Sequence, residues 1–99
     1  MSGYAVIVDF RLKAGTRSAF RALIDANAIS SVKNEQGCRC FDVVEPIGER
    51  DRVVLYEIYD DQTAFKTHCT SAHFLSFDAE SAPLVDDKKV ILAALVCEG

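Results

Sequence analysis

From Tyr4 to Lys13 the chain alternates: Val6, Val8, Phe10 and Leu12 fall on one side, Ala5, Ile7, Asp9 and Arg11 on the other. A period of two marks a strand. After Ala14-Gly15-Thr16 the period lengthens to that of a helix, with Phe20, Leu23, Ile24, Asn27 and Ser31 on one stripe that runs to about Asn34. Thr16 stands where an N-cap is expected, and Gly37 suits a left-handed or turn position at the helix end. The period then returns to two. Cys38 to Glu45 sets Arg39, Phe41 and Val43 against Cys40, Asp42 and Val44. After turn residues 46–51, Arg52 to Tyr59 sets Val54, Tyr56 and Ile58 against Leu55, Glu57 and Tyr59. Asp60 or Asp61 can cap a short helix over 61–69. Thr70-Ser71 interrupts it, a second short helix from Ser71 ends before Pro83, and Lys89 to Cys97 is the last strand.

The order β-α-β-β-α-β predicts an α+β fold, a ferredoxin-like βαββαβ antiparallel sheet with helices on one face. No linker, repeat or low-complexity segment breaks the pattern, so residues 1–99 are expected to form a single domain. The internal strands carry apolar faces (Val6/Val8/Phe10, Phe41/Val43, Val54/Tyr56/Ile58), and their opposite faces carry Asp9, Asp42 and Glu57. Helices cover one side of such a sheet. A second copy is the economical cover for the other, which predicts a homodimer built as a dimeric α+β barrel.

Charge and cysteine usage narrow the partners. A net charge of −4 and no basic run argue against nucleic acid or an anionic membrane surface. No apolar run approaches the roughly 18 residues of a membrane span. The opening MSGYAVIVDF has neither a charged leader region nor a cleavage site, so a cytoplasmic protein is expected. Cys38, Cys40, Cys69 and Cys97 fit that compartment as free thiols; Cys38 and Cys40 would share a strand face, where a mutual disulfide would be strained.

Two longer segments carry a family likeness. NAISSVKNEQGCRCFDVVE, with its E-x-G-C-x-x-F-D block, and VVLYEIYDDQTAFKTHCTSAHF, with Y-E-x-Y-x-D and H-x-x-S-x-H-F, resemble the antibiotic biosynthesis monooxygenase (quinol monooxygenase-like) family. The match is especially good to the branch containing the isomerase of phosphorylated autoinducer-2, and it spans about residues 4–78. The resemblance implies a sheet-to-sheet dimer, a pocket between sheet and helices, and oxygen or proton-transfer chemistry with no metal or flavin cofactor. Two departures stand out. The chain has no tryptophan, and Cys40 stands where a bulkier apolar residue is common.

Both reactions begin with a base removing an acidic proton while polar groups hold the oxyanion. His68 and His73 are candidate catalytic residues because imidazole titrates near neutrality. Five residues on one helix set side chains roughly 140° apart, and no third ligand is near in sequence, so a metal site is not expected. His68 points inward at a helix C-terminus and His73 sits in the first turn of the next, which predicts a raised pKa for the former and a lowered one for the latter. Glu57 is a third catalytic candidate, a carboxylate in the middle of a strand. Asn27, on an apolar stripe, is a candidate for substrate binding or for tying helix to strand. Asp42 and Tyr59 are further substrate-binding candidates, each with a structural alternative; Arg50 and Arg52 are expected in solvent. If the Glu57 face meets the helices, Asp9, Asp42, Glu57, Asn27 and His68 would surround one cavity. Three readings follow. The first is a cofactor-independent monooxygenase taking a small quinol-like molecule and molecular oxygen. The others are an isomerase of a small phosphorylated hydroxy-dione and a non-catalytic dimeric binding or structural protein.

Overall fold

The computed structural model describes residues 3–99. It shows β1 (Gly3–Leu12), α1 (Arg17–Asn34), β2 (Cys38–Val44), β3 (Arg52–Tyr59), α2 (Gln62–Cys69), α3 (Ala72–Ser81) and β4 (Val85–Leu95), with a 3-10 turn at Ala82–Leu84. The strands form an antiparallel sheet in the order β2-β3-β1-β4. This is the ferredoxin-like α+β arrangement the periodicity predicts. No helix among the described residues is long and apolar enough to cross a membrane.

Register decides which side chains meet the helices. Val6 pairs with Glu57 and Val8 with Leu55, and paired residues project to the same side of a sheet. Val6, Val8, Phe10, Val53, Leu55, Glu57 and Tyr59 therefore share the helix-covered face, and all are buried. Phe20 of α1 and Phe77 of α3 lock onto Phe10, with ring centroids 4.8 and 6.2 Å from it and 5.7 Å from each other. Removing an enclosed ring of this kind costs about 3–5 kcal/mol. This cluster seats α1 and α3 on the sheet, and the candidate site lies beside it.

The same register corrects the expectation of three carboxylates on one face. Asp9 pairs with Val54, and Asp42 with Tyr56. Both point to the open face, away from Glu57. Asp9 there receives a two-pronged bond from Arg52, at 2.9 and 2.7 Å, which holds its pKa below the usual value. Arg52 is thus half-buried and paired rather than free in solvent. Cys38 and Cys40 also part company. The ladder shifts between them, so Cys38 lies opposite Tyr59 in the core while Cys40 lies opposite Ile58 on the open face. All four cysteines are free thiols.

Local corrections are smaller. The Thr16 hydroxyl donates to the Lys13 carbonyl at 2.7 Å and makes no cap to α1. Asp61 caps α2 by accepting from Ala64 N, and Ser71 caps α3 by accepting from Phe74 N, as the sequence predicts. Of the two conformations expected for Gly37, it takes the turn rather than the left-handed one. Its requirement is space: a Cβ there would stand 2.6 Å from the Ala64 Cβ of α2. The last strand starts at Val85 rather than Lys89, because β4 is an edge strand and tolerates Asp86, Asp87, Lys88 and Lys89 within it.

Candidate active site

Where α1, α2 and α3 leave the sheet partly uncovered, a cavity of about 120 Å³ opens. Its walls are mostly apolar, with Phe41, Phe65, Phe74 and Phe77 among them, and its polar side chains are Asn27, Glu57, His68 and Lys88. Sheet residues enter it because Glu57 and Lys88 stand on the helix-covered side of β3 and β4, where Phe10 pairs with Lys88. Helix residues enter it through the α1 stripe and the last turn of α2.

His68 is 2% exposed, and its position is fixed from both ends. The Ser71 hydroxyl donates to the His68 carbonyl at 2.7 Å and caps α3, so the break between the helices is a rigid joint. Its Nδ1 lies 2.8 Å from Glu35 Oε2 and 3.4 Å from Ser31 Oγ. A carboxylate can only accept from a neutral imidazole, so Nδ1 carries the hydrogen and Nε2 carries the lone pair. With Nδ1 engaged, Nε2 is the nitrogen left for the cavity. Burial holds the His68 pKa below the ordinary histidine value, with Glu35 opposing. The rise expected from the helix C-terminus is therefore overturned: desolvation outweighs the dipole.

Glu57 forms the opposite wall. It is 3% exposed, and its Oε1 accepts from the Tyr59 hydroxyl at 2.6 Å. Burial pushes its pKa up to about 7, against the lowering effect of the tyrosine. Tyr59 is fully enclosed, and its own pKa is raised by burial and by Glu57. Asn27 is buried too, its Oδ1 3.5 Å from Ser31 Oγ. Ser31 in turn donates to the Asn27 backbone carbonyl at 2.7 Å.

The structure thus brings His68, Glu57 and Asn27 to one cavity and leaves three expected residues out of its wall. Asp42 is exposed on the other sheet face, 3.4 Å from the Cys40 thiol. Tyr59 lies behind Glu57 and orients it. His73 lies behind Glu35, with its Nε2 bonded to the same Glu35 Oε2 that serves His68. Glu35 itself and Lys88 escaped the sequence reading. Glu35 follows α1 in a polar stretch that looks like a surface turn, though it opens the E-x-G-C block and so was within reach. Lys88 sits in a charged run with no strand period; its Nζ lies 5.7 Å from the Phe10 ring centre.

Comparison with known proteins places the fold in a family. Residues 3–80 match the family described as antibiotic biosynthesis monooxygenase. A Mycobacterium tuberculosis protein named "Putative monooxygenase Rv0793" is 37% identical over 84 residues, covering 85% of this chain and 81% of its own. The structure of Rv0793 aligns with a TM-score of 0.82 at 32% identity, over 98% of this chain and 96% of that one. A Nitrosomonas europaea structure titled "Putative antibiotic biosynthesis monooxygenase" aligns with a TM-score of 0.88 at 26% identity, over 92% and 88% of the two chains.

Proposed function

This chain belongs to the antibiotic biosynthesis monooxygenase family, and on that premise we propose that it oxidises a single-ring hydroquinone or related polyphenol with O2, without a resident cofactor, using His68 as base. The observation that carries the reading is His68 on the wall of an apolar cavity with Glu35 bonded to its Nδ1 from behind. A quinol hydroxyl set against His68 Nε2 gives up its proton there, while Glu35 keeps hold of Nδ1–H and favours the imidazolium that forms. The phenolate is the electron donor to O2. One oxygen atom enters the ring and the other leaves as water, so hydroquinone plus O2 gives a hydroxyquinone plus water and the substrate supplies every electron. Asn27 holds the second substrate oxygen, and Glu57, with a pKa of about 7, passes the second proton near neutrality.

Cavity size supports the substrate class. A void of about 120 Å³ is close to the ~150 Å³ apolar cavity that holds one benzene ring. A one-ring quinol therefore fits it better than a fused polycyclic one.

A homodimer completes the reading. The open sheet face presents exposed Tyr56 and Ile91 beside half-buried Ile7 and Val54, and a second copy packed sheet to sheet would cover them. Lys88 favours a second reading, an isomerase of a small phosphorylated hydroxy-dione, because it offers a cation at the cavity wall. An oxygen electrode with a panel of one-ring and fused-ring quinols, with products read by mass spectrometry, separates the two. The monooxygenase consumes O2 with one-ring quinols and releases products heavier by one oxygen and lighter by two hydrogens. Turnover of a hydroxy-ketone with no O2 uptake, and inertness to every quinol, would replace it with the isomerase.

A further inference from the structure

The proton transfer above uses only part of the cluster behind the cavity. It gives no role to His73, whose ring is aimed at the same carboxylate as His68 from outside the cavity wall. It also leaves Glu35 half used. That side chain is 9% exposed, yet its Oε1 is buried and finds no hydrogen-bond partner among the described residues. An unsatisfied buried polar atom costs about 1–3 kcal/mol, more when charged, and native folds keep few of them.

From these two observations we propose that Glu35, His68 through Nδ1 and His73 through Nε2 form a binding site for a divalent transition-metal ion, with zinc the best match. One ligand atom from each residue lies within 4.8 Å of the others. Around a common ion with bonds of ~2.1 Å, tetrahedral ligand atoms stand about 3.4 Å apart, a spacing that small side-chain rotations reach. Two imidazoles and a carboxylate suit zinc and its first-row neighbours far better than calcium or magnesium. The fold supplies what the sequence spacing denies. The joint at Ser71 turns His73 back toward His68, with ring centroids 5.9 Å apart, and Glu35 comes in from the end of α1. Ser31 Oγ, 3.4 Å from His68 Nδ1, is the nearest further oxygen.

Occupancy has a consequence for the base. An ion on Nδ1 moves the imidazole hydrogen to Nε2, the nitrogen that would otherwise accept the substrate proton. The metal-bound subunit is therefore the resting, inhibited form, and the site is a switch rather than a catalytic centre.

Titration of the full-length protein with Co2+ under reducing conditions, followed by visible absorption, tests the site without reference to activity. The expected result is one equivalent bound per chain, with d–d bands, no thiolate charge-transfer band, and displacement by Zn2+. Glu35→Gln and His73→Ala each weaken binding by more than the ~10–100-fold that loss of an outer partner alone costs, with circular dichroism confirming the fold. Where either variant unfolds, Co2+ paramagnetic broadening of the two histidine ring signals in the wild-type NMR spectrum serves instead. The proposal is overturned by no Co2+ binding at millimolar ion, by a thiolate charge-transfer band, by binding indifferent to both substitutions, or by histidine signals that stay sharp.

Discussion

Two glutamates serve the cavity in different manners, Glu57 from its sheet wall and Glu35 from behind His68 on the helix side. On the helix side Glu35 is held by two imidazoles that share a single oxygen. On the sheet side Glu57 has one tyrosine hydroxyl as its hydrogen-bond partner, and burial carries its pKa up to about 7 against the opposing effects of Tyr59 and Lys88. On the proposed reading the same functional group is set to two tasks: Glu35 aims the base His68, and Glu57, with its pKa raised to about 7, gives or takes a proton itself. Environment, rather than residue type, divides the labour.

Removing the helix-side carboxylate has the largest expected effect. Glu35→Gln keeps one carbonyl oxygen that can accept from both imidazoles, but it removes the negative charge that favours the imidazolium formed on His68. Quinol-dependent O2 uptake should fall between ~10² and 10⁴-fold in kcat with little change in KM. A fall confined to KM would assign Glu35 to substrate binding instead.

On the sheet side the sharper readout is stability against pH. Below about pH 4.5 Glu57 is protonated in both folded and unfolded chains. As pH rises, the unfolded chain ionises it first and is favoured, until folded Glu57 ionises at about 7. The wild type should therefore lose roughly 3 kcal/mol relative to Glu57→Gln between pH 4 and pH 8. Taking the difference between the two proteins cancels the contribution of His68, whose lowered pKa acts in the opposite direction. Parallel urea-unfolding curves across that range would show that Glu57 is not buried as described.

The sequence made the element order legible because each strand and helix keeps its own period. His68, Glu57 and Asn27 were visible for a related reason: each is a polar residue on an otherwise apolar stripe or face. What stayed hidden depended on pairing between strands. Nothing in the β1 pattern says that Val6, rather than Asp9, shares a face with Glu57; only the register does. The bulge that separates Cys38 from Cys40 is likewise invisible in a two-residue period. Glu35 was concealed by its polar neighbours, since a turn residue 33 positions from its histidine offers no spacing to read.

Two smaller effects sharpen the contrast. Gly37 lets the segment carrying Glu35 lie against α2, so Gly37→Ala should cost about 1–3 kcal/mol in thermal or urea unfolding. It should also reduce activity by more than that loss of folded protein explains, because Glu35 moves with the segment. Asp42→Asn sits at the other extreme. On the exposed face its stability change should stay within about 0.5 kcal/mol, with O2 uptake unaltered. A marked loss of activity there would return Asp42 to the site from which the register removes it.

On the proposed reading His68 accepts the quinol proton. The most direct test compares wild type and His68→Gln for O2 uptake with hydroquinone, alongside anaerobic quinol binding by each. Both proteins should bind the quinol; the wild type should consume one O2 per quinol, and uptake by the variant should be down by at least ~10²-fold. Equal O2 uptake by the folded variant would contradict that reading.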